Sequence, residues 1–331
     1  MKKKRSVCFI VSADSKTGYG HLMRSISLAE EFKKKKFKVY FLSHANFNIK
    51  SINLIKKNFL FLKNKFQKKK FSEINLLKNL QNLNLKFVII DGYKFDYYWQ
   101  KRFCKYFKLN KQFKLIKIDD YIKKNLCDIF IFFNSEIILK KKEKSFFPKK
   151  CKLLIGPKYA LIRDEIIKIK LKKNSKNKKN IYITAGGKNW HNFSNKILNI
   201  INSYSYFKEF KIYVKKDNHK LPKNKNIFYF KNLKHQSKIL SKKPIVLGYS
   251  GYSAIERVVL GLKSVCLKLN MNQNYIHAYL IKKKLIYPVN KIQEKKKIYL
   301  SLLKCINNNT IKNSPYDILG KRRVLRELTK H

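Results

Sequence analysis

Short unbroken apolar runs alternate with stretches whose apolar residues recur every three or four positions. VCFIVSA (7–13), KVYFLSH (38–44), KFVIIDG (86–92), FKLIKIDD (113–120) and DIFIFFN (128–134) read as strands. Their continuous apolar character suits a parallel sheet covered on both faces. Helical spacing lies between them, at about 21–36, 72–83 and 95–107. The alternation stops after LLIGPKYALIRDEI at KIKLKKNSKNKKN, a polar stretch that reads as a linker. It then restarts with NIYITAGG, a helix from about 192, FKIYVKKD, NIFYFKN, PIVLGYSG, the helix SAIERVVLGL, SVCLKLN and a helix from about 273. A last helix is expected over 316–330. Repeated strand–helix alternation implies parallel α/β units in each half, with ligands bound outside the carboxyl ends of the strands. The expectation is two doubly wound Rossmann-like domains, 1–165 and 178–331, facing one another across a cleft.

A chain of 331 residues accommodates two domains of about 150 residues each. Its hydrophobic content of 44% excludes a largely disordered polymer. Lys and Arg number 78 against 19 Asp and Glu, a formal net charge of +59, which by itself suggests a polyanion as partner. The lysines, however, are spread along the whole chain beside abundant Asn, Ile, Phe and Tyr, the residues of A/T-rich codons. With no aromatic-rich RNA-binding motif, no specific nucleic-acid partner is expected. Arginine is scarcer and more informative, and Arg24, Arg163 and Arg257 each lie in or beside a motif. Six cysteines without a CxxC pair suggest neither a disulfide framework nor a zinc site. The first apolar run is too short for a secretion signal, and no stretch approaches the roughly 18 apolar residues of a membrane span. A cytoplasmic monomer is expected.

Three glycine-bearing segments follow predicted strands. In TGYGHLMR, Gly18 and Gly20 permit a sharp turn and close approach of a ligand, and His21 falls at a helix start. The positive end of that helix disfavours imidazolium, so His21 is a candidate general base; the alternative is a turn histidine. In ITAGGKNWHN, Gly186 and Gly187 form either a phosphate approach or an ordinary strand-to-helix turn. In GYSGYSAIERVVLGL, Gly248 and Gly251 precede Ser253, with Glu256 three residues later. That spacing is a capping box, or else Glu256 accepts both ribose hydroxyls of a nucleotide. Asn272 and Gln273 then open the next helix, as phosphate or base contacts or as caps.

Taken in order, these segments resemble the PseG-type UDP-sugar hydrolases, which release UDP from UDP-2,4-diacetamido-2,4,6-trideoxy-β-L-altropyranose on the route to pseudaminic acid. The likeness spans roughly residues 6–290: GYGHLMRS, VIIDGY (Asp91, Tyr93) with WQKRF, IDD (Asp119, Asp120), CDIFIFFN, LIGPKYALIRDEI, GG with Asn192, GYSGYSAIERVVLGL, and NQ. The resemblance implies a GT-B-like fold and an inverting hydrolysis at the anomeric carbon that uses neither metal nor other cofactor. No DxD triplet occurs in the chain, in agreement. By this likeness His21 deprotonates water and Tyr93 lies in the sugar pocket. Glu256 holds the ribose, and Asn272 and Gln273 lie near the diphosphate or sugar. Gly18, Gly20, Arg24, Gly187 and Ser253 complete the implied substrate contacts. The chain departs from the pattern at Gly92, where the family commonly has histidine, at Lys188 and Asn189, and at Tyr252. MurG-type glycosyltransferases share the layout more distantly, which leaves sugar transfer to an acceptor hydroxyl as the alternative reaction.

Overall fold

The computed structural model describes residues 5–12, 19–43, 49–62, 80–81, 83–107, 113–171, 179–186, 192–215, 224–230, 233–308 and 313–330. The chain divides into two compact units, Met1–Leu161 with Leu319–His331, and Ile162–Ile318.

In the first unit, strands β1 (Ser6–Val11), β2 (Lys38–Ser43), β3 (Leu60–Leu62), β4 (Leu85–Asp91), β5 (Lys114–Ile118), β6 (Ile129–Phe132) and β7 (Lys152–Ile155) form one parallel sheet in the order β3-β2-β1-β4-β5-β6-β7. Every residue of β1 and β6 is buried, as continuous apolar runs in strands paired on both sides and covered on both faces require. Phe9 stacks on Phe41 of the neighbouring strand, with centroids 5.0 Å apart, and meets Phe32 of the covering helix edge-on. Each such ring contributes roughly 1.5–3 kcal/mol by leaving water.

The second unit repeats the plan. Strands β8 (Asn180–Thr184), β9 (Lys211–Lys215), β10 (Ile227–Phe230), β11 (Ile245–Tyr249), β12 (Ser264–Leu267) and β13 (Tyr287–Val289) run parallel in the order β10-β9-β8-β11-β12-β13. Its core joins Ile181, Ile183, Leu247 and Val265 of the strands to Phe193, Ile197 and Leu302 of the helices. In both sheets the strand order reverses about the first strand of the unit. The switch points therefore lie between β1 and β4 and between β8 and β11, where a doubly wound sheet opens a crevice for ligand.

All ten strands expected from sequence are present, and the structure adds β3, β7 and β13, each at a sheet edge. Edge strands bury less apolar surface and are short, so their pattern is weak. The expected first helix is Gly20–Lys34 and the third Tyr97–Tyr106, while most of the segment 72–83 lies outside the described residues. The linker reading is corrected at its start. Residues 168–171 belong to a helix, Asp164–Leu171, whose Ile166 and Ile169 are buried, and 172–178 lie outside the described residues.

The final helix, Gly320–Thr329, belongs to the first unit, although the sequence boundaries place it with the second. It buries Val324, Leu325 and Leu328, and Lys321 places its ammonium 3.5 Å from Glu31. Gly320 packs so closely on the Ala160 backbone that a Cβ has no room, and Arg323 donates to the Lys158 carbonyl.

Candidate active site

The first cluster grows from a helical spacing. His21, Arg24 and Ser25 stand at i, i+3 and i+4 in Gly20–Lys34 and so share one face. That face meets the end of β4, whose last residue, Asp91, lies beside Val11, the last residue of β1. The cluster therefore occupies the switch point of the first sheet.

Asp91 has no solvent exposure and accepts four hydrogen bonds. Oδ1 takes His21 Nδ1 at 2.6 Å and Arg24 Nη2 at 2.6 Å; Oδ2 takes Arg24 Nε at 2.7 Å and Ser25 Oγ at 3.0 Å. Four donors fill the acceptor capacity of a carboxylate. Burial alone would raise the Asp91 pKa, but Arg24 and then His21 outweigh it and hold this carboxyl well below the usual carboxylate range. An ionised carboxylate only accepts, so at 2.6 Å the proton sits on Nδ1, and Nε2 is the nitrogen left to exchange a proton with a ligand.

Arg24 continues to a second carboxylate. Its Nη1 donates to Asp120 Oδ1 at 2.6 Å, where Asn134 Nδ2 also donates at 3.0 Å, and Tyr93 donates its hydroxyl to Asp120 Oδ2 at 2.7 Å. Asp120 is likewise held low, burial being overcome by Arg24, His21 and the Tyr93 bond. The Tyr93 ring stands edge-on to the His21 imidazole, centroids 4.7 Å apart at 84°. Arg24 itself is driven far above its ordinary pKa, because Asp120 and Asp91 outweigh its burial.

Two expectations change here. Arg24 is not turned toward a ligand: its Nε, Nη1 and Nη2 all donate to buried carboxylates, because a guanidinium fork matches two carboxylate edges. The His21 ring, expected to face the cleft from its helix start, is only 5% exposed and is braced by Asp91 and Tyr93.

The departure at Gly92 also has a physical cause. Its φ of +154° suits glycine, and a Cβ would lie 2.6 Å from both Cβ and Oγ of Ser12. Fully buried Lys117 donates to the Gly92 carbonyl at 2.7 Å and lies 3.5 Å from Asp119 Oδ2. Burial lowers the Lys117 pKa, partly offset by Asp119.

In the second unit the expected residues gather after β11 and β12, with one change of partners. The helix Tyr252–Val259 begins one residue early, with Gly251 as N-cap and no side-chain cap. Ser253 thus lies inside the helix, where its Oγ accepts from Arg257 Nη1 at 3.2 Å, and the capping box does not form. Glu256 is gripped by Arg163, Nε to Oε1 at 2.5 Å and Nη2 to Oε2 at 2.6 Å, which drives Arg163 above its ordinary pKa despite burial. Each Glu256 oxygen keeps a second acceptor site. Gln273 Oε1 accepts from Leu269 N at 2.9 Å, and Asn272 stands beside Gln273 in the turn Met271–Gln273. Gly186, with φ +81°, donates its N–H to Thr184 Oγ1 at 3.1 Å at the end of β8. Gly18, Gly187, Lys188 and Asn189 lie outside the described residues.

Sequence reasoning missed Asp91 as the partner of His21, although the VIIDGY motif contains it. It also missed Asp120 and Asn134 as partners of Arg24 and Tyr93, Arg163 as the partner of Glu256, and the buried Ser250–His277 pair, 2.6 Å apart. Burial and Lys268 lower the His277 pKa. The scarcity of arginine was the one usable signal, pointing to Arg24 and Arg163.

Comparison with known proteins locates the chain by fold. No family model matches it. It is 26% identical over 300 residues to an uncharacterised protein of Methanocaldococcus jannaschii, covering 84% of this chain and 58% of that protein. It is 28% identical over 188 residues to the UDP-2,4-diacetamido-2,4,6-trideoxy-β-L-altropyranose hydrolase of Campylobacter jejuni, covering 57% of this chain and 62% of that one. The matches thus span about three fifths of either relative's length. Among solved structures, Acinetobacter baumannii MurG superposes with a TM-score of 0.63 at 12% identity, covering 98% of this chain and all of MurG. Staphylococcus aureus MnaA, solved with UDP, gives 0.64 at 12% identity over 98% of this chain and 96% of that one. The fold is the GT-B fold of two Rossmann-like domains. Among the described residues no helix is long and apolar enough to cross a membrane.

Proposed function

We propose that the protein is an enzyme of UDP-sugars that hydrolyses a UDP-linked 2,4-diacetamido-2,4,6-trideoxy sugar to UDP and the free sugar, a step toward pseudaminic acid. The observation that carries this reading is the His21 Nδ1 contact with Asp91. A general base needs one nitrogen within reach of the proton it takes and a partner that sets the tautomer; it does not need an exposed ring.

In this mechanism Asp91 holds Nδ1–H, and Nε2 of His21 takes a proton from water as the oxygen bonds to the anomeric carbon. The bond from that carbon to the diphosphate oxygen breaks, and UDP departs with the electron pair, already a stable anion. Tyr93 flanks the ring and orients water or sugar. Glu256, fixed by Arg163, accepts from a ribose hydroxyl on its remaining lone pairs. Asn272 and Gln273 serve the diphosphate or sugar, and Gly18, Gly20, Gly187 and Ser253 complete the substrate contacts. The relative from Campylobacter jejuni, which bears the name of this hydrolase, supports the substrate class. The UDP bound to the MnaA neighbour supports the nucleotide.

The test is turnover of the UDP-trideoxy sugar followed by chromatography for UDP. Wild-type protein is expected to release UDP and His21→Ala to lose at least about 100-fold in kcat; unchanged turnover in the variant removes His21 as base. In heavy-oxygen water the label is expected in the sugar, whereas label in UDP would mean attack at phosphorus. The fold shared with MurG favours one second reading, transfer of the sugar to an acceptor hydroxyl. An acceptor that raises UDP release and appears glycosylated in the products would establish it.

A further inference from the structure

Cys127 precedes β6 and Cys151 precedes β7, two parallel neighbours in which Ile129 lies opposite Lys152. That register sets Cys151 opposite Asp128, so the two cysteines are offset by one residue across neighbouring strands, a Cα separation of roughly 6 Å, within the range of about 4.4–6.8 Å that a disulfide accepts. Their sulfur atoms are 4.0 Å apart and both thiols are free. Closing to about 2.05 Å requires side-chain rotation rather than displacement of a strand.

The two thiols are unlike. Cys127 is buried and Cys151 is partly exposed. Burial raises the Cys127 thiol, whereas the contact with Cys127 lowers Cys151 despite its own desolvation. A more accessible sulfur beside a sheltered one has the character of an attacking and a resolving cysteine. Cys8 and Cys305 are buried thiols pushed upward by burial and lack this character.

We propose that Cys127 and Cys151 form an oxidisable dithiol site that hydrogen peroxide converts to a disulfide, with Cys151 attacking first and Cys127 resolving. The Cys151 thiolate attacks one peroxide oxygen and the O–O bond breaks. Hydroxide leaves and takes up a proton, and Cys151 becomes a sulfenic acid. Cys127 then loses its proton and attacks the Cys151 sulfur, and the S–O bond breaks with loss of a second water. Two thiols lose two electrons and one peroxide is reduced to two waters. The pair lies at the amino ends of its strands, about 20 Å along the chain from Asn134 at the carboxyl end of β6. The His21 cluster is thus at the opposite edge of the sheet, and the inference is independent of the proposed hydrolysis.

The test treats the folded, full-length protein with hydrogen peroxide at a dose that oxidises a small thiol in the same tube. Free thiols are then alkylated and the digest is read by mass spectrometry. The expected result is a linked peptide pair joining Cys127 to Cys151, lighter by two hydrogens and released by dithiothreitol. With Cys127→Ser, dimedone is expected to trap a sulfenic acid at Cys151. Recovery of both cysteines as alkylated thiols, or linkage of Cys151 to another cysteine, would overturn the site. Dimedone on Cys127 in a Cys151→Ser protein would overturn the order of attack, and the wild-type measurement stands whether or not either variant folds.

Discussion

At the scale of the residue, Asp91 decides which nitrogen of His21 can work. Asp91→Asn keeps the shape of the side chain but presents an amide that can donate to Nδ1, turning the imidazole to the wrong tautomer. The expected outcome is a fall in kcat of about 10²–10⁴-fold with UDP affinity nearly unchanged, measured on the folded fraction. Retained kcat would mean that the pair only braces the helix. The same substitution leaves Arg24 with one buried partner fewer, a loss of about 3–5 kcal/mol. Acid provides a second test. Asp91 and Asp120 have folded pKa values below their unfolded ones, so the folded state binds fewer protons and their contribution is fully present above about pH 4. It is lost as the pH falls through the folded values. Urea unfolding followed below pH 4 is therefore expected to show a steep loss of stability that is shallower in Asp91→Asn.

Elements place these residues, and two glycines separate packing from turn chemistry. A Cβ on Gly248, inside β11, would meet the Thr184 carbonyl of β8 at 2.6 Å, backbone that cannot step aside. Gly248→Ala is expected to destabilise the second unit by about 1–3 kcal/mol in denaturant titration. Gly251 is a helix N-cap with φ −88°, and its added Cβ would approach only the flexible Gln273 amide, at 3.5 Å. Gly251→Ala is expected to cost under about 1 kcal/mol, so equal losses at both sites would refute this account of β11 packing. The helix that carries His21 is similarly explained by periodicity, since i, i+3 and i+4 bring three side chains, with four donors, to one carboxylate.

The whole molecule is discontinuous in sequence: the chain leaves the first unit at Leu161 and returns to it at Leu319. The returning helix buries Val324, Leu325 and Leu328, worth about 5–9 kcal/mol as an upper bound. That is comparable to the stability of a domain. Deletion of 319–331 is expected to unfold the first unit and spare the second, visible as protease cleavage confined to the first. A truncated protein with both units resistant would show that the docking is dispensable. The charge of +59 also acts at this scale. With lysines dispersed, binding to DNA is expected to be indifferent to sequence and to disappear as salt rises from 50 to 200 mM.

The fold class was legible in the sequence because a parallel sheet covered on both faces demands unbroken apolar runs between amphipathic helices. Ten strands, and His21 at a helix start after the first of them, follow from that requirement; that this is the switch point depends on the strand order of the folded sheet. Local spacing also brought Glu256 into view, and the resemblance to the UDP-sugar hydrolases brought in Asp91, Tyr93 and Asp120 as motif members. Their partners were settled only by tertiary structure. Asp91 and His21 are 70 positions apart, Arg163 and Glu256 93, and Cys127 and Cys151 24. No period or spacing encodes such a meeting; it depends on which strand ends the sheet order makes neighbours. For the same reason Arg24 and Glu256, both read from sequence as turned toward ligand, are held by ion pairs inside their own units. A charged group withdrawn from water must find its opposite, and only the folded chain determines where that opposite lies.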